Sequence, residues 1–314
     1  MILNLIISFI LTVITCIIAI PKLRKLGIGQ VVRDDGPKEH LKKNGTPTLG
    51  GAIIVGIISI ILGIYSFTYN ILILPLVVIL GFGIIGFIDD YKKLSKNNSV
   101  GLSPMKKIIG LFLVTAVFIL LYINVFNLGT TIIIPFINIP LELSLFGFIL
   151  FTTFILLATS NAVNITDGID GLAISIVSVI MTYFSVISYL NGDIEMSILG
   201  SVTVGTCLAF LLFNTHPAKI FMGDTGSLAL GGIIASIAII LKMPLYLAIV
   251  CIICIIETIS VILQVIYFKL TKGKRLFKMA PIHHHFELSG YKENSIVNIF
   301  CIITIIACLI AYFV

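Results

Sequence analysis

Long apolar stretches alternate with short polar segments along the whole chain of 314 residues. A helix that crosses a bilayer needs about 20 apolar residues, and lipid offers its backbone no hydrogen-bond partners, so each stretch is predicted to be an α-helix. No repeat or separate soluble segment interrupts the pattern. We therefore predict an all-α integral membrane protein, a single polytopic bundle over 1–314. Its roughly ten transmembrane helices are 2–20, 49–69, 71–88, 108–126, 144–163, 172–190, 196–213, 227–241, 244–268 and 296–314.

The composition excludes an ordinary water-soluble domain. Hydrophobic residues make up 59% of the chain and charged residues only 11%, with a mean hydropathy of +1.19; soluble domains have about 25% charged residues. The first stretch has neither a basic leader nor an Ala-x-Ala site, so we expect a retained helix rather than a signal peptide. The segment 127–143, between the fourth and fifth stretches, is predicted to form a small extracytoplasmic hairpin.

Basic residues occur in alternate loops. The loops 21–48, 89–107, 214–226 and 269–295 hold 7, 5, 1 and 6 Lys or Arg, which is 19 of the 20, and only Lys242 lies elsewhere. By the positive-inside rule these four loops are predicted to be cytoplasmic. An even number of spans then puts both termini on the extracytoplasmic side of the cell membrane.

Acidic residues are one-sided as well. Of the 14 Asp and Glu, ten lie in the same loops or at the helix ends that face them. Acidic residues contribute little to membrane orientation, so topology alone does not explain their distribution. We expect an active site on the cytoplasmic face, where a net charge of +6 also suits anionic substrates and membrane lipid.

The sequence Asp89-Asp90-Tyr-Lys-Lys93 follows the third apolar stretch. Two adjacent carboxylates near a membrane repel each other and need a cation, which Mg²⁺ with phosphate oxygens would supply. Lys93 is close to Asp90 on a helix and could contact phosphate. The alternative is a solvated helix end.

A second set repeats every three residues, which keeps neighbours near one helix face: Asn161, Asn164, Asp167 and Asp170. Gly168 and Gly171 allow the backbone to approach a ligand. Amide and carboxylate groups in this pattern suit a nucleoside or a metal-bound phosphate. A helix end rich in capping residues is the alternative.

The third motif lies between Asn214 and Ser227, where Asp224 is flanked by Gly223 and Gly226 just before a predicted helix. The N-terminus of such a helix is an anion site, to which Asp224 could bring a metal ion. A helix cap formed by Ser227 is compatible with that role. The first cytoplasmic loop, with His40, Lys43 and Thr48, is weaker evidence when taken alone.

The last cytoplasmic loop contains three consecutive histidines, His283, His284 and His285. Neighbouring side chains on a helix diverge by about 100°, so the three cannot ligate one metal ion together. We favour hydrogen bonds to substrate phosphate or peptide. In the ninth stretch Glu257 and Gln264 share a face; a functional role for this intramembrane acid and simple pairing with a neighbouring helix both stay open.

Two further patterns have plainer interpretations. Cys251 and Cys254 lie on an apolar helix and are interpreted as packing residues rather than as a redox or zinc pair. Gly81, Gly83 and Gly86 match a dinucleotide fingerprint by spacing, but no strand precedes them. We interpret these glycines as positions of close helix packing.

Together the motifs resemble the polyprenyl-phosphate N-acetylhexosamine-1-phosphate transferase superfamily, and within it most closely the phospho-N-acetylmuramoyl-pentapeptide transferase family. The resemblance covers nearly the whole chain. It includes Asp-Asp-x-x-Lys at 89–93, Asn-x-x-Asp-Gly-x-Asp-Gly at 164–171, Phe-Met-Gly-Asp-Thr-Gly-Ser at 221–227 and Ala-Pro-Ile-His-His-His-Phe-Glu at 280–287. Relatives that use UDP-N-acetylglucosamine differ in the last motif.

The resemblance implies a bacterial plasma-membrane enzyme that makes lipid I and UMP from UDP-N-acetylmuramoyl-pentapeptide and undecaprenyl phosphate, with Mg²⁺. This reaction is the first membrane step of peptidoglycan synthesis. A homodimer is compatible with it, and no nucleic acid is expected as a partner. A sister transferase for UDP-N-acetylglucosamine and a secondary transporter are the alternatives.

The resemblance also implies roles for the motif residues. Asp224, with Asn164, would bind the metal ion, and Asp89 and Asp90 would position it or accept a proton, with the choice between base and nucleophile open. Met105 departs from the family pattern, so either Lys106 or Lys107 could contact phosphate. Gly168, Asp170 and Asn214 would hold the uridine. The remaining substrate-binding residues would be His40, Lys43, Thr48, Lys93, Lys107, Asp167, Ser227, Gln264, His283, His284 and His285.

Overall fold

The computed structural model describes residues 1–26, 29, 45–95 and 101–314. His40 and Lys43 lie outside these residues. The helices are α1 Ile2–Lys25, α2 Gly50–Ser66, α3 Ile73–Ser95, α4 Pro104–Leu120, α5 Leu145–Thr166, α6 Leu172–Leu190, α7 Ile194–Asn214, α8 Gly223–Ile240, α9 Leu247–Val250, α10 Ile252–Leu270, α11 Ile282–Glu287 and α12 Glu293–Phe313.

The helices confirm an all-α polytopic membrane protein. Within the described residues, nine helical segments are long and apolar enough to cross a membrane. The second predicted span is the apolar helix α2, which has 17 residues. At 1.5 Å per residue α2 is about 26 Å long, close to the roughly 30 Å of a hydrocarbon core.

The ninth predicted span, 244–268, is not one uninterrupted helix. A 3₁₀ turn, Pro244–Tyr246, leads into α9, and Cys251 then departs from helical geometry with φ −94° and ψ 20° before α10 begins. Backbone hydrogen bonds still run from Cys251 to Leu247 and from Ile255 to Cys251. The break is therefore a local kink, which a hydropathy pattern cannot indicate.

The innermost helix is α8, in which every residue from Thr225 to Ile240 is buried. It packs against α3 and α5, and glycines make its closest contacts possible. Gly86 of α3 has no room for a Cβ beside the backbone of Asp224, and Gly51 of α2 has none beside Gly226. These contacts support the interpretation of Gly86 as a packing residue and hold the beginning of α8 in place.

The hairpin predicted within 127–143 is confirmed. Strands β1 (Thr131–Ile134) and β2 (Ile139–Glu142) are antiparallel, with Thr131 opposite Glu142 and Ile134 opposite Ile139. The hairpin precedes the N-terminus of α5, whereas the Asn-x-x-Asp motif lies at the C-terminal end of α5. Hairpin and acidic motifs therefore belong to opposite ends of that helix.

Candidate active site

The polar motifs meet at one end of the bundle, where α3 and α5 end and α8 begins. Asp89 and Asp90 lie near the end of α3, and both are buried. Asp224 is in the first turn of α8. Carboxylate oxygens of these three residues lie within 4.8 Å of one another, so the fold joins two of the predicted motifs in one acidic cluster.

Asp90 holds the N-terminus of α8. Its two carboxylate oxygens accept hydrogen bonds from the backbone N–H groups of Asp224 (3.1 Å) and Thr225 (2.9 Å), and from the Thr225 hydroxyl (2.6 Å). These are orphan donors of the first helical turn, where a negative charge is favourable. Asp90 therefore fixes the position of Asp224.

Asp224 is surrounded by cationic and amide donors. Its Oδ2 accepts from the ammonium groups of Lys107 (2.6 Å) and Lys93 (3.1 Å), and its Oδ1 accepts from the Asn164 amide (3.0 Å). Lys106 is exposed to solvent. Lys107, rather than Lys106, therefore belongs to the acidic cluster.

Asp89 occupies the other side of the cluster and is 2% exposed. Its Oδ1 accepts from the backbone N–H of Leu102 at 2.6 Å, and its Oδ2 lies 2.6 Å from the Lys93 ammonium group. Gly101 packs so tightly against this carboxylate that a side chain would not fit there. Asp89 is thus shared between α3 and the segment before α4.

The donor set fits a divalent cation. Carboxylate oxygens are hard ligands of the kind such ions prefer, and Asp89 and Asp224 provide them with two lysines as neighbouring counter-charges. Asp90 is less available, because α8 already engages both its oxygens. Asn164 turns its amide nitrogen toward Asp224, so its carbonyl oxygen would have to rotate inward to become a ligand.

The Asn-x-x-Asp motif lines the adjoining wall of the cluster. The Asn164 amide also donates to the hydroxyl of Ser227 at 2.8 Å, which links α5 to α8. Asp167 follows directly after α5. Burial, and then the negative charges of Asp224, Asp90 and Asp170, raises the pKa of Asp167 to about 8.

Asp170 and Asn214, both predicted to hold uridine, brace neighbouring loops. Asn214 accepts from the backbone N–H of Gly171 (3.2 Å) and donates to the carbonyl of Ile220 (2.9 Å). Asp170 accepts from the backbone N–H of Ala218 at 3.0 Å. Contact of either side chain with uridine stays a prediction.

Two residues beside Asp170 were missed by the sequence analysis. The Nδ1 atom of His216 lies 3.0 Å from a carboxylate oxygen of Asp170 and 3.4 Å from one of Glu293. Glu293, in the first turn of α12, also accepts from the backbone N–H of Asp170 at 3.2 Å. His216 lies two residues after Asn214 in the motif that ends at Ser227, so the sequence contained a signal for it. No local pattern in the sequence distinguishes Glu293.

The three histidines lie on the short helix α11 and have different neighbours. His284 contacts Glu287 through Nδ1 at 2.6 Å, and Nδ1 of His285 accepts from the backbone N–H of Lys278 at 3.1 Å. His283 is fully buried and points inward. The three histidines therefore differ in their polar contacts, although the rings of His283 and His284 touch each other.

Gln264 supports the same region from α10. Its carbonyl oxygen accepts from the backbone N–H groups of Leu276 (3.1 Å) and Phe277 (2.9 Å), and its amide donates to the carbonyl of Phe277 (3.2 Å). In this arrangement Gln264 holds the polypeptide before α11, and its predicted contact with substrate is untested.

Thr48 is buried next to the third motif. The backbone around it pairs with that motif: Phe221 donates to the carbonyl of Pro47 (2.8 Å), and Gly50 and Gly51 donate to the carbonyls of Phe221 (2.9 Å) and Met222 (2.8 Å). This pairing brings the end of the segment between α1 and α2 to the beginning of α8. Binding of phosphate by Thr48 stays a prediction.

Comparison with known proteins assigns the fold and site to a class. Residues 72–242 match glycosyl transferase family 4. The chain is 47% identical over 311 residues to the phospho-N-acetylmuramoyl-pentapeptide-transferase of Acetivibrio thermocellus (98% of this chain, 93% of the relative). It is 49% identical over 309 residues to that of Clostridium perfringens strain 13 (98% and 96%) and 45% identical over 310 residues to that of Clostridium kluyveri (98% and 97%).

The fold, the acidic cluster and the first of these matches define a membrane-embedded transferase of glycosyl transferase family 4. Within that class, the near full-length relatives show that the chain belongs to the phospho-N-acetylmuramoyl-pentapeptide-transferase family. The motifs at 89–93, 164–171, 221–227 and 280–287 thus belong to an enzyme, and the transporter alternative is excluded.

Proposed function

We propose that the chain transfers phospho-N-acetylmuramoyl-pentapeptide from its UDP derivative to undecaprenyl phosphate, giving lipid I and UMP for peptidoglycan synthesis. An oxygen of the lipid phosphate forms a bond to the sugar-linked phosphorus. The bond from that phosphorus to the bridging oxygen breaks, and UMP leaves with the electron pair. Both reactants are anions, so charge neutralisation and positioning carry the reaction.

The observation that carries this proposal is the arrangement around Asp224. One carboxylate at a helix N-terminus is contacted by Lys93 and Lys107 and lies beside Asp89. Lysine ammonium groups can move from a carboxylate to a phosphate at little cost, because each exchange replaces one charge-assisted contact by another. The cluster therefore offers both a cation-binding face and mobile positive charge to a diphosphate.

We infer that the divalent cation is Mg²⁺, bound by Asp224 and Asp89 together with substrate phosphate oxygens. When bound it would neutralise the diphosphate and the departing UMP. Asp90 orients Asp224 by capping α8, which leaves Asp89 as the member of the adjacent pair that is positioned to contact reactants. Lys93 and Lys107 would offset charge on the phosphates.

Donor choice is inferred from the last loop. The muramoyl donor differs from UDP-N-acetylglucosamine by a lactyl group with a peptide, which lies outside the uridine and diphosphate. His284 and His285 are on α11 next to the site and carry ring nitrogens that can bind carbonyl or phosphate oxygens. A site that hydrogen-bonds such groups discriminates strongly against a donor without them.

We infer that this end of the bundle faces the cytoplasm of the bacterium. The loops at the site carry almost all the basic residues of the chain, and basic loops remain on the cytoplasmic side. A water-soluble nucleotide donor would reach the site from there, while the polyprenyl acceptor would reach it from the membrane.

The test is an assay of purified protein in detergent or vesicles with undecaprenyl phosphate, Mg²⁺ and either UDP-N-acetylmuramoyl-pentapeptide or UDP-N-acetylglucosamine. We expect UMP and lipid I from the first donor and little product from the second. EDTA should abolish turnover, and Mg²⁺ should restore it. A preference for UDP-N-acetylglucosamine would contradict the proposed substrate, and absence of UMP with both donors would contradict the reaction.

The same assay, applied to a variant of Asp224, tests the proposed cation site. Asp224→Asn should lower turnover by about 10²-fold or more, because loss of a metal ligand removes several kcal/mol of charge stabilisation. Lys106→Ala is the matched control, since Lys106 is exposed and lies one residue from Lys107. Turnover near the wild-type value in folded Asp224→Asn would remove Asp224 from the site.

A further inference from the structure

Glu257 lies in the interior of α10 and is fully buried. An acid within a membrane-spanning helix is costly unless another group compensates it. The Nδ1 atom of His283, the first residue of the triple-histidine motif, lies 3.1 Å from Oε2 of Glu257, and His283 is also fully buried. The intramembrane acid is therefore compensated by a residue of the last cytoplasmic loop rather than by a transmembrane helix.

This contact is exclusive for both side chains. Among the described residues, the carboxylate oxygens of Glu257 and the ring nitrogens of His283 form no hydrogen bond, so the 3.1 Å approach of Nδ1 to Oε2 is the polar contact that compensates both. If one partner is lost, the other becomes an unpaired polar group in a dry interior, a change that costs more than the pair contributes.

The opposite edge of the His283 ring touches the turn that follows α5. A Cβ at Gly168 would overlap Nε2 of His283, so the ring packs directly on the Gly168 backbone. Gly168 follows Asp167 in the Asn-x-x-Asp-Gly motif. His283 is thus sandwiched between an acid in α10 and the turn that carries this motif.

His283 also sets the position of its neighbour. The rings of His283 and His284 meet edge to face, with centroids 4.1 Å apart, and His284 is held on its other side by Glu287 at 2.6 Å. A displacement of His283 would therefore move His284, which the proposed function assigns to donor binding. Gln264 cannot replace this support, because it contacts the backbone at Leu276 and Phe277 instead.

We propose that Glu257 is a positioning residue for donor binding. Through His283, it fixes the turn at Gly168 and the helix α11 in a single arrangement, so that two separate motifs present one surface to the sugar-nucleotide donor. The inference rests on the proposed function for the identity of that donor. Glu257 itself contacts neither substrate nor metal, and its effect passes through the imidazole.

The test uses Glu257→Gln, which keeps the volume of the side chain, together with His283→Gln and the double variant. Each single variant should raise the KM for the UDP-linked donor about tenfold and leave the KM for polyprenyl phosphate within twofold. The donor KM of the double variant should be no higher than that of the more strongly affected single variant, because both changes remove the same interaction. Thr258→Val is the control, since the Thr258 hydroxyl bonds only to its own helix at Cys254 in the described structure (2.8 Å).

Hydrogen exchange provides a measurement that does not depend on catalysis. In Glu257→Gln, amides of 167–171 and 282–288 should exchange faster, whereas those of α6 and α7 should not change. Unchanged exchange in both segments, an unchanged donor KM, or multiplicative effects in the double variant would each overturn the proposal. Absence of UMP release by the wild-type protein would instead contradict the proposed function, and the exchange data would still decide the positioning role.

Discussion

Asp90, Asp167 and Asp224 occupy one site but meet different neighbours. Asp90 accepts three hydrogen bonds from the first turn of α8, and Asp224 is contacted by two ammonium groups. Asp167 differs from both, because burial, and then three neighbouring acids, raise its pKa to about 8. The three aspartates therefore differ in their interactions, because the donors and charges around each of them differ.

The pKa of Asp167 predicts a pH-dependent penalty. In the unfolded chain an aspartate has a pKa near 3.9, whereas the folded protein holds the proton up to about pH 8. The folded state thus binds more protons across this window, so stability falls as the pH rises from about 4 to about 8 and then levels off. Asp167→Asn, which cannot ionise, should lack this decline.

The measurement is the apparent unfolding temperature of metal-free protein in detergent between pH 5 and pH 9. The unfolding temperature of Asp167→Asn should exceed that of wild type by a margin that grows with pH, by roughly 2–4 °C for each kcal/mol of penalty. Titrating groups outside the cluster of Asp90, Asp167, Asp170 and Asp224 are common to the two proteins and cancel in the difference. A difference that does not change with pH would contradict the raised pKa.

The sequence predicted the residues of the acidic cluster better than their partners. Asp89, Asp90 and Asp224 were recognisable because paired acids and a Gly-flanked acid at a helix start are unusual in so apolar a chain. The choice of Lys107 over Lys106 needed the structure, since one residue turns a side chain by about 100° on a helix. Contacts such as Glu293 with Asp170 join distant segments and have no local signal.

At the scale of elements, helix α3 links the predicted topology to the site. Hydropathy placed its end near residue 88, but the helix continues to Ser95. Burial and ion pairing with Lys93 keep Asp89 and Asp90 within the helix, and a hydropathy pattern does not register those interactions. The extra two turns carry the acidic pair to the first turn of α8.

The crossing of α3 and α8 predicts a packing-sensitive position. Gly86→Ala would force a Cβ against the backbone of Asp224, which should cost about 1–3 kcal/mol by overpacking and displace the Asp224 carboxylate, the proposed metal ligand. We expect a lower unfolding temperature together with at least tenfold lower turnover. Unfolding temperature and UMP release can be measured on the same preparation.

Gly56→Ala and Gly63→Ala are the matched controls for this change. Both residues lie in α2 and have open space where a Cβ would be. Alanine also favours a helix more than glycine does, so neither control should reduce stability or turnover. An effect of Gly86→Ala no larger than that of the controls would show that α3 and α8 are not held at this distance for function.

At the scale of the whole molecule, apolar and polar residues are sorted by position. Large apolar side chains are exposed along α1, α10 and α12, for example Ile10, Ile262 and Ile302. Exposure on this scale is untenable in water and indicates a surface that contacts lipid. The acidic cluster and Asp170 lie at ends of the long helices, and α11 lies in the loop after α10, so the proposed catalytic site is at a boundary of the membrane.

The distribution of basic residues among the loops predicts that the candidate site lies on the cytoplasmic side of the membrane. A single cysteine from Ser95→Cys, at the exposed end of α3 beside the site, should be shielded from an impermeant thiol reagent in intact cells and should react once the membrane is opened. One from Asn191→Cys, at the exposed opposite end after α6, should react in intact cells.

The unmodified chain is the blank, because five of its six thiols are buried and Cys301 is half-buried. The physical reason is that basic loops are retained in the cytoplasm, and 19 of 20 basic residues belong to the loops predicted to lie on the side of Ser95. Labelling of Ser95→Cys from outside, with Asn191→Cys protected, would invert the molecule. The active site would then face away from the cytoplasm, and a cytoplasmic nucleotide donor could not reach it.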